Sequence, residues 1–255
     1  MNNKHRIAVL LFCIFLVLDS CFAQYNYIQN PLAREFTKRI EYNYYGSGLD
    51  NVNSKTDIEK KLFFPEHNSL VEFFILPSFS GSYGFCIDKD NATNKYYLVY
   101  KHIANWEQVG ADLDKKYPLK SMKMEMWDKS TDEEKKEMSA YNRKIREISR
   151  QEALLNYSIN NDTLFISQKL ATTIHRTFVT LIRDFVGEGN PGTIRDGYRA
   201  TFRCVVKDEI WYFMIKTPQG TFGKLTELCN QMIESLEKKD FDESKYLSSL
   251  NDIVN

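Results

Sequence analysis

Gly187, Gly189 and Gly192 stand in the spacing G-x-G-x-x-G within VGEGNPGTIRDGY, residues 186–198, a pattern that elsewhere cradles the pyrophosphate of a dinucleotide. That cradle needs a strand before the first glycine and a helix after the last, because the helix N-terminus supplies the N–H groups and the positive dipole end that hold phosphate. Here the order is reversed. A helical apolar periodicity ends at Phe185, a strand pattern begins near Tyr198, and Pro191 removes an amide donor. The glycines therefore read as a connection, with Gly187 ending the helix in a left-handed conformation. Phe79-Ser80-Gly81-Ser82-Tyr83-Gly84 has the outline of a G-x-S-x-G nucleophile elbow but lacks the first glycine, and a strand-like run follows Ser82 where the elbow needs a helix. Met122, Met124 and Met126 would offer soft thioethers to Cu(I) from one face of an extended segment, yet no histidine or cysteine accompanies them and methionine is a common gap-filler. His67, His102 and His175 are scattered, without H-x-x-x-H or C-x-x-C spacing. The sequence thus nominates no catalytic residue, no metal and no cofactor. A Cys–His contact or a carboxylate pair, the material of a hydrolase, could be assembled only in three dimensions.

Aromatic residues offer more. Tyr42, Tyr44 and Tyr45, then Tyr96, Tyr97 and Tyr100, with Trp106 and Trp127, include neighbours that cannot all point into the core from one element. Tyr96, Tyr97, Tyr100 and Trp106 are the candidates for a contact surface, since such rings combine area with a polar handle suited to a protein or glycan partner.

The N-terminus bears on compartment. Lys4, His5 and Arg6 precede the apolar run Ile7 to Leu18, short for a membrane span but the right length for the core of a secretory signal. Cys21-Phe22-Ala23 places small residues where a signal peptidase reads, so residues 1–23 are expected to be removed and the mature chain to begin at Gln24. The competing pattern, Leu18-Asp19-Ser20-Cys21, would leave a lipid anchor on Cys21; Asp19 fits it poorly, and cleavage is favoured. Later segments lack an apolar run long enough to span a bilayer. Removing Lys4, Arg6 and Asp19 from a chain of 34 basic and 34 acidic residues leaves a charge of about −1, which argues against a nucleic-acid partner. Cys86, Cys204 and Cys229 remain, compatible with one disulfide and a spare thiol or with three buried thiols.

The elements that must position any site follow from periodicity. Pro31 to Tyr45 reads as a short helix and Ser69 to Leu76 as a strand ended by Pro77. Tyr83 to Asp88 and Lys95 to Lys101 make a hairpin around residues 89–94. Residues 114–155 are charge-rich, with Ser130 and Glu133 as a capping box opening a long surface helix. A compact hairpin is expected around Asn160-Asn161-Asp162, then a helix from Ser167 to Phe185. Tyr198 to Val206 and Ile210 to Lys216 form a further strand pair, and a last helix is capped by Thr221. The sum is an α+β protein: an antiparallel sheet built from hairpins with helices packed on one face. Residues 24–113 and 156–255 form two α+β halves, or one continuous domain, joined by the charged helical connection 114–155.

The signal ending in Ala23-Gln24, with Asp208-Glu209-Ile210-Trp211-Tyr212-Phe213, Thr217-Pro218, Gly220-Thr221 and Lys224-Leu225-Thr226-Glu227-Leu228, resembles uncharacterised exported proteins of Gram-negative gut bacteria. The likeness covers about the last third of the chain and brings no established activity from which a site could be carried over. It implies the α+β fold and a place in the periplasm or on the cell surface. Taken together, the expectation is a binding or interaction module of the envelope, with a hydrolase as the alternative.

Overall fold

The computed structural model describes residues 40–42, 58–65, 69–185, 197–207 and 209–254. The signal segment with Cys21, His67, and the glycine connection at 187–192 lie outside the described residues.

The chain is α+β. Seven strands, β1 (Ile40–Tyr42), β2 (Val71–Pro77), β3 (Tyr83–Asp90), β4 (Lys95–Ile103), β5 (Ile159–Ile166), β6 (Tyr198–Val206) and β7 (Glu209–Lys216), form one sheet in the order β1-β7-β6-β2-β3-β4-β5. Strands from before and after the charged connection are interleaved, because β2 lies between β3 and β6. Pairing is antiparallel except for β1, which runs parallel to β7. Among the described residues six α-helices accompany the sheet: α1 (Trp106–Lys116), α2 (Met124–Lys129), α3 (Asp132–Asn156), α4 (Gln168–Asp184), α5 (Gly220–Lys238) and α6 (Glu243–Val254).

Strand alternation separates two faces. Val71, Phe73 and Ile75, with Phe85, Ile87, Leu98, Phe202 and Phe213, point to the face covered by α4, α5 and α6. Helix α4 docks there because Leu170, Ile174, Phe178 and Ile182 recur at helical spacing and are all buried. Ser167 caps it, its Oγ accepting from the Leu170 N–H at 3.1 Å. Tyr246 of α6 closes the layer, donating to the Gln231 carbonyl at 3.0 Å.

Several sequence expectations are corrected. Ile40–Tyr42 is a strand where a helix over Pro31 to Tyr45 was expected, because a free edge of β7 offers it a ladder. Asn160-Asn161-Asp162 does not turn: β5 runs straight through it, paired with β4 on one side and exposed on the other, where polar side chains cost nothing. The capping box sits one residue later than expected. Thr131 accepts from the Glu134 N–H, Glu134 accepts from the Thr131 N–H, and Ser130 instead donates to the Met126 carbonyl. Thr221 is no cap, since α5 begins at Gly220 behind Gln219, and α6 was not anticipated.

Gly84 of β3 pairs with Phe74 of β2 where the two backbones leave no room for a side chain. A Cβ there would fall on the Phe73 carbonyl oxygen and within 3.0 Å of the Phe74 Cα, both backbone atoms that cannot swing away. Gly84→Ala is expected to cost about 1–3 kcal/mol, read from urea unfolding, as overpacking of a close-packed sheet.

Candidate functional site

The second face of the sheet carries the unusual chemistry. Register places Tyr212, Arg203, Glu72, Cys86, Val99 and Thr163 in one row across β7, β6, β2, β3, β4 and β5. A single helical turn, Glu59–Phe63, packs on this face, with Phe63, Phe64, Phe74 and Cys86 in one cluster; Tyr212, Arg203, Glu72 and Cys86 of the row are buried, and Thr163 at its far end is exposed. Arg203 Nη1 donates to Glu72 Oε2 at 3.0 Å with both side chains under 5% exposed, and the guanidinium lies 5.4 Å from the Tyr212 ring centroid. Lys101 reaches up from β4 to donate to the Phe63 carbonyl at 2.6 Å, tying the turn down.

Burial, then the nearby Asp88 charge, push the Glu72 carboxyl well above the usual range, with Lys101 opposing. Burial, then Asp88, raise the Cys86 thiol. Burial lifts Cys204 to about 12 and also raises Cys229. All three thiols are free and buried, in a protonation state unsuited to nucleophilic attack. His175 Nε2 lies 2.6 Å from the Val205 carbonyl, and His102 stacks on Tyr100 at 5.2 Å; neither touches a cysteine in any contact seen. Among the described residues no three His, Cys, Asp or Glu side chains gather into a metal-binding group. Ser82 is buried and leads into β3, without the helix an elbow needs.

The four aromatic candidates are not brought together on one exposed surface. Tyr96 and Tyr100 are buried on the helix-covered face, while Tyr97 points to the other face and meets Phe165 edge-on at 6.1 Å. Trp106 is half-buried at the start of α1, its Cβ close to Gly81.

The accessible features lie on the excursion between β4 and β5, residues 106–156, which forms a helical arm. Asn105 clips its two ends, donating to the Asn156 carbonyl at 2.9 Å and accepting from the Ser158 N–H at 2.8 Å. Val109 and Leu113 of α1 pack on Ala153 of α3, and Glu152 joins Lys116 and Tyr117. Farther out, the Asn142 side chain makes two hydrogen bonds to the Lys120 backbone, at 2.8 and 2.9 Å. Five of the seven exposed large hydrophobic residues among the described ones belong to this arm: Leu119, Met124, Met126, Ile148 and Leu155. No helix of the described residues is long and apolar enough to cross a membrane.

Three grooves border the arm. One of about 480 Å³ lies beside Trp127 and α3; a second of about 250 Å³ runs between α1 and α3; a third of about 610 Å³ opens at Gly81 and Trp106. Glu72, Cys86, Cys204 and Cys229 line none of these. Sequence reasoning saw the arm's charge but missed that Arg143, Arg146 and Arg150 share one side of α3; their three- and four-residue spacing was the available signal.

No protein-family model, no curated protein and no solved structure matches the chain.

Proposed function

We propose that the protein is an exported, non-catalytic binding module of the cell envelope whose contact element is the arm at 106–156. The observation that carries this reading is the concentration of exposed Leu119, Met124, Met126, Ile148 and Leu155 within the arm. Exposed apolar side chains gathered on one element of a folded chain, rather than scattered singly, mark a surface that another molecule covers. Methionine, unbranched and polarisable, suits adaptable contact surfaces. The leader at 1–23 supports export, and the displaced carboxyl and thiol groups sit away from the grooves a substrate would enter.

A hydrolase reading draws on Glu72, a carboxyl raised by burial and by Asp88, which is how a general acid is prepared. Against it, Glu72 is 4% exposed beneath the Glu59–Phe63 turn. Turnover of glycan, peptide or ester substrates by the purified protein, abolished by Glu72→Gln, would establish that alternative.

A photo-crosslinking residue placed at Met124, Met126 or Leu155 in the native host is expected to trap one partner, while the same residue at Phe79 or Phe165 traps none. Adducts from Phe79 and Phe165 alone would overturn the assignment to the arm. The mature chain is expected to start at Gln24 in the envelope fraction, and intact protein retaining Met1 in the cytosol would overturn export.

A further inference from the structure

The groove beside Trp127 is lined mainly by cationic and polar side chains. Arg143, Arg146 and Arg150 line it from one side of α3, spread over about 10 Å of helix axis. Like charges three and four residues apart destabilise a helix by some tenths of a kcal/mol per pair, and Glu147, four residues after Arg143 and three before Arg150, offsets part of that. The helix dipole does not compensate, because its effect fades beyond the last turn and Arg143 lies well before the end at Asn156. Glu147 is the one carboxylate in the lining beside three guanidinium groups, and its Oε1 accepts from Gln151 Nε2 at 2.9 Å. The walls are fixed in advance: Asn142 pins the Lys120 backbone to α3, and Lys135 lies 5.7 Å from the Trp127 ring centroid.

We propose that this groove binds the phosphate or sulfate ester of a sugar, the guanidinium groups of Arg143 and Arg146 holding the anion and the Trp127 indole packing against the ring. Planar guanidinium forks match tetrahedral oxyanions through paired, charge-assisted hydrogen bonds. A volume of about 480 Å³ is the size of a site for one small molecule, and an indole beside it offers an apolar plane to the faces of a pyranose. Ser139 supplies a hydroxyl at the rim for a sugar oxygen. The inference rests on the reading of the arm as a contact element and names the chemistry that one part of it takes.

Isothermal titration of the full mature protein tests it with glucose 6-phosphate, glucose 6-sulfate, glucose, inorganic phosphate and phosphatidylglycerol vesicles. Saturable binding of a sugar ester is expected, at least about tenfold tighter than inorganic phosphate, and no binding of glucose. Arg143→Gln and Arg146→Gln should each weaken the ester about tenfold. Lys144→Gln, on the same helix but outside the groove, should not. Trp127→Ala should erase the preference for the ester over inorganic phosphate. No saturable heat with either ester overturns the proposal. So does equal affinity for inorganic phosphate, which would mean an adventitious ion only, and so does unchanged binding in the Arg143→Gln/Arg146→Gln protein. Binding to vesicles without binding to either ester would reassign the groove to a lipid surface. Met124 and Leu155 lie outside the groove, so crosslinks there stand or fall separately.

Discussion

Arg203→Met is expected to destabilise the protein by about 3–5 kcal/mol at neutral pH, because it removes the guanidinium that donates to Glu72, a carboxyl that is 4% exposed. The loss of the cation–π contact with Tyr212 adds to it. Replacing both partners by apolar residues of similar size, Glu72→Leu with Arg203→Met, should restore most of the stability, since the penalty comes from the carboxylate left behind. Urea unfolding of the single and double variants measures this directly. A sign for pH follows from the same group. Burial and Asp88 raise the Glu72 pKa in the folded chain, so between the ordinary glutamate value of about 4.3 and the raised value the folded state holds more protons than the unfolded one. Stability from this group is therefore fully present below about pH 4.3 and is lost as pH rises through the raised value. Glu72→Gln should remove that part of the slope, and the cost of Arg203→Met should be smallest in acid, where Glu72 takes up a proton.

Phe202→Ala should cost as much on the opposite face, about 3–5 kcal/mol, and lower Tm by roughly 6–20 °C. Phe202 is fully buried, with ring centroids 5.5 Å from Phe73, 5.4 Å from Phe178 and 5.1 Å from Phe222. It therefore joins the sheet to both α4 and α5, and the surrounding rings cannot collapse into the space it leaves. Phe165→Ala is the comparison. That ring is 58% exposed on the outer strand, and its removal should change stability by no more than about 0.5 kcal/mol. Calorimetry of the two variants separates core from surface.

How far the sequence was legible depended on whether one element's own pattern carried the answer. Helix α4 was readable because Leu170, Ile174 and Phe178 mark its face and Ser167 its start, all within one segment. The β3–β4 hairpin was readable because Asn91 to Asn94 turns the chain, with Asn94 at a φ of 56° that asparagine tolerates. Strand β5 was not, because Asn160, Asn161 and Asp162 favour turns locally and only the ladder to β4 holds them extended. The buried polar row was hidden more deeply. Glu72 in VEFFILP and Arg203 in YRATFRCVV each look like the outward residue of an alternating strand, and they are 131 positions apart. Only register makes them neighbours. Phe74 gave a hint, being large and apolar on the same face as Glu72, which requires that face to be covered too. The cover, Glu59–Phe63, has the sequence EKKLF and reads as a polar connection. In the arm, the apolar stripe of α3 was visible, but the groove beside Trp127 depends on how α2 folds back and could not be.

Excising the arm tests the central claim most directly. Ile103 and Ile159 are partners across β4 and β5, so replacing residues 104–158 with an Asn-Gly turn should turn the two strands into an ordinary hairpin. The quantity to measure is the fraction of this shortened protein, and of the full-length one, recovered bound in envelope material from the native host, with cooperative unfolding as the check that the sheet survives. A folded sheet that no longer associates is the result the account predicts. A shortened protein that folds and associates as fully as the complete chain would contradict it.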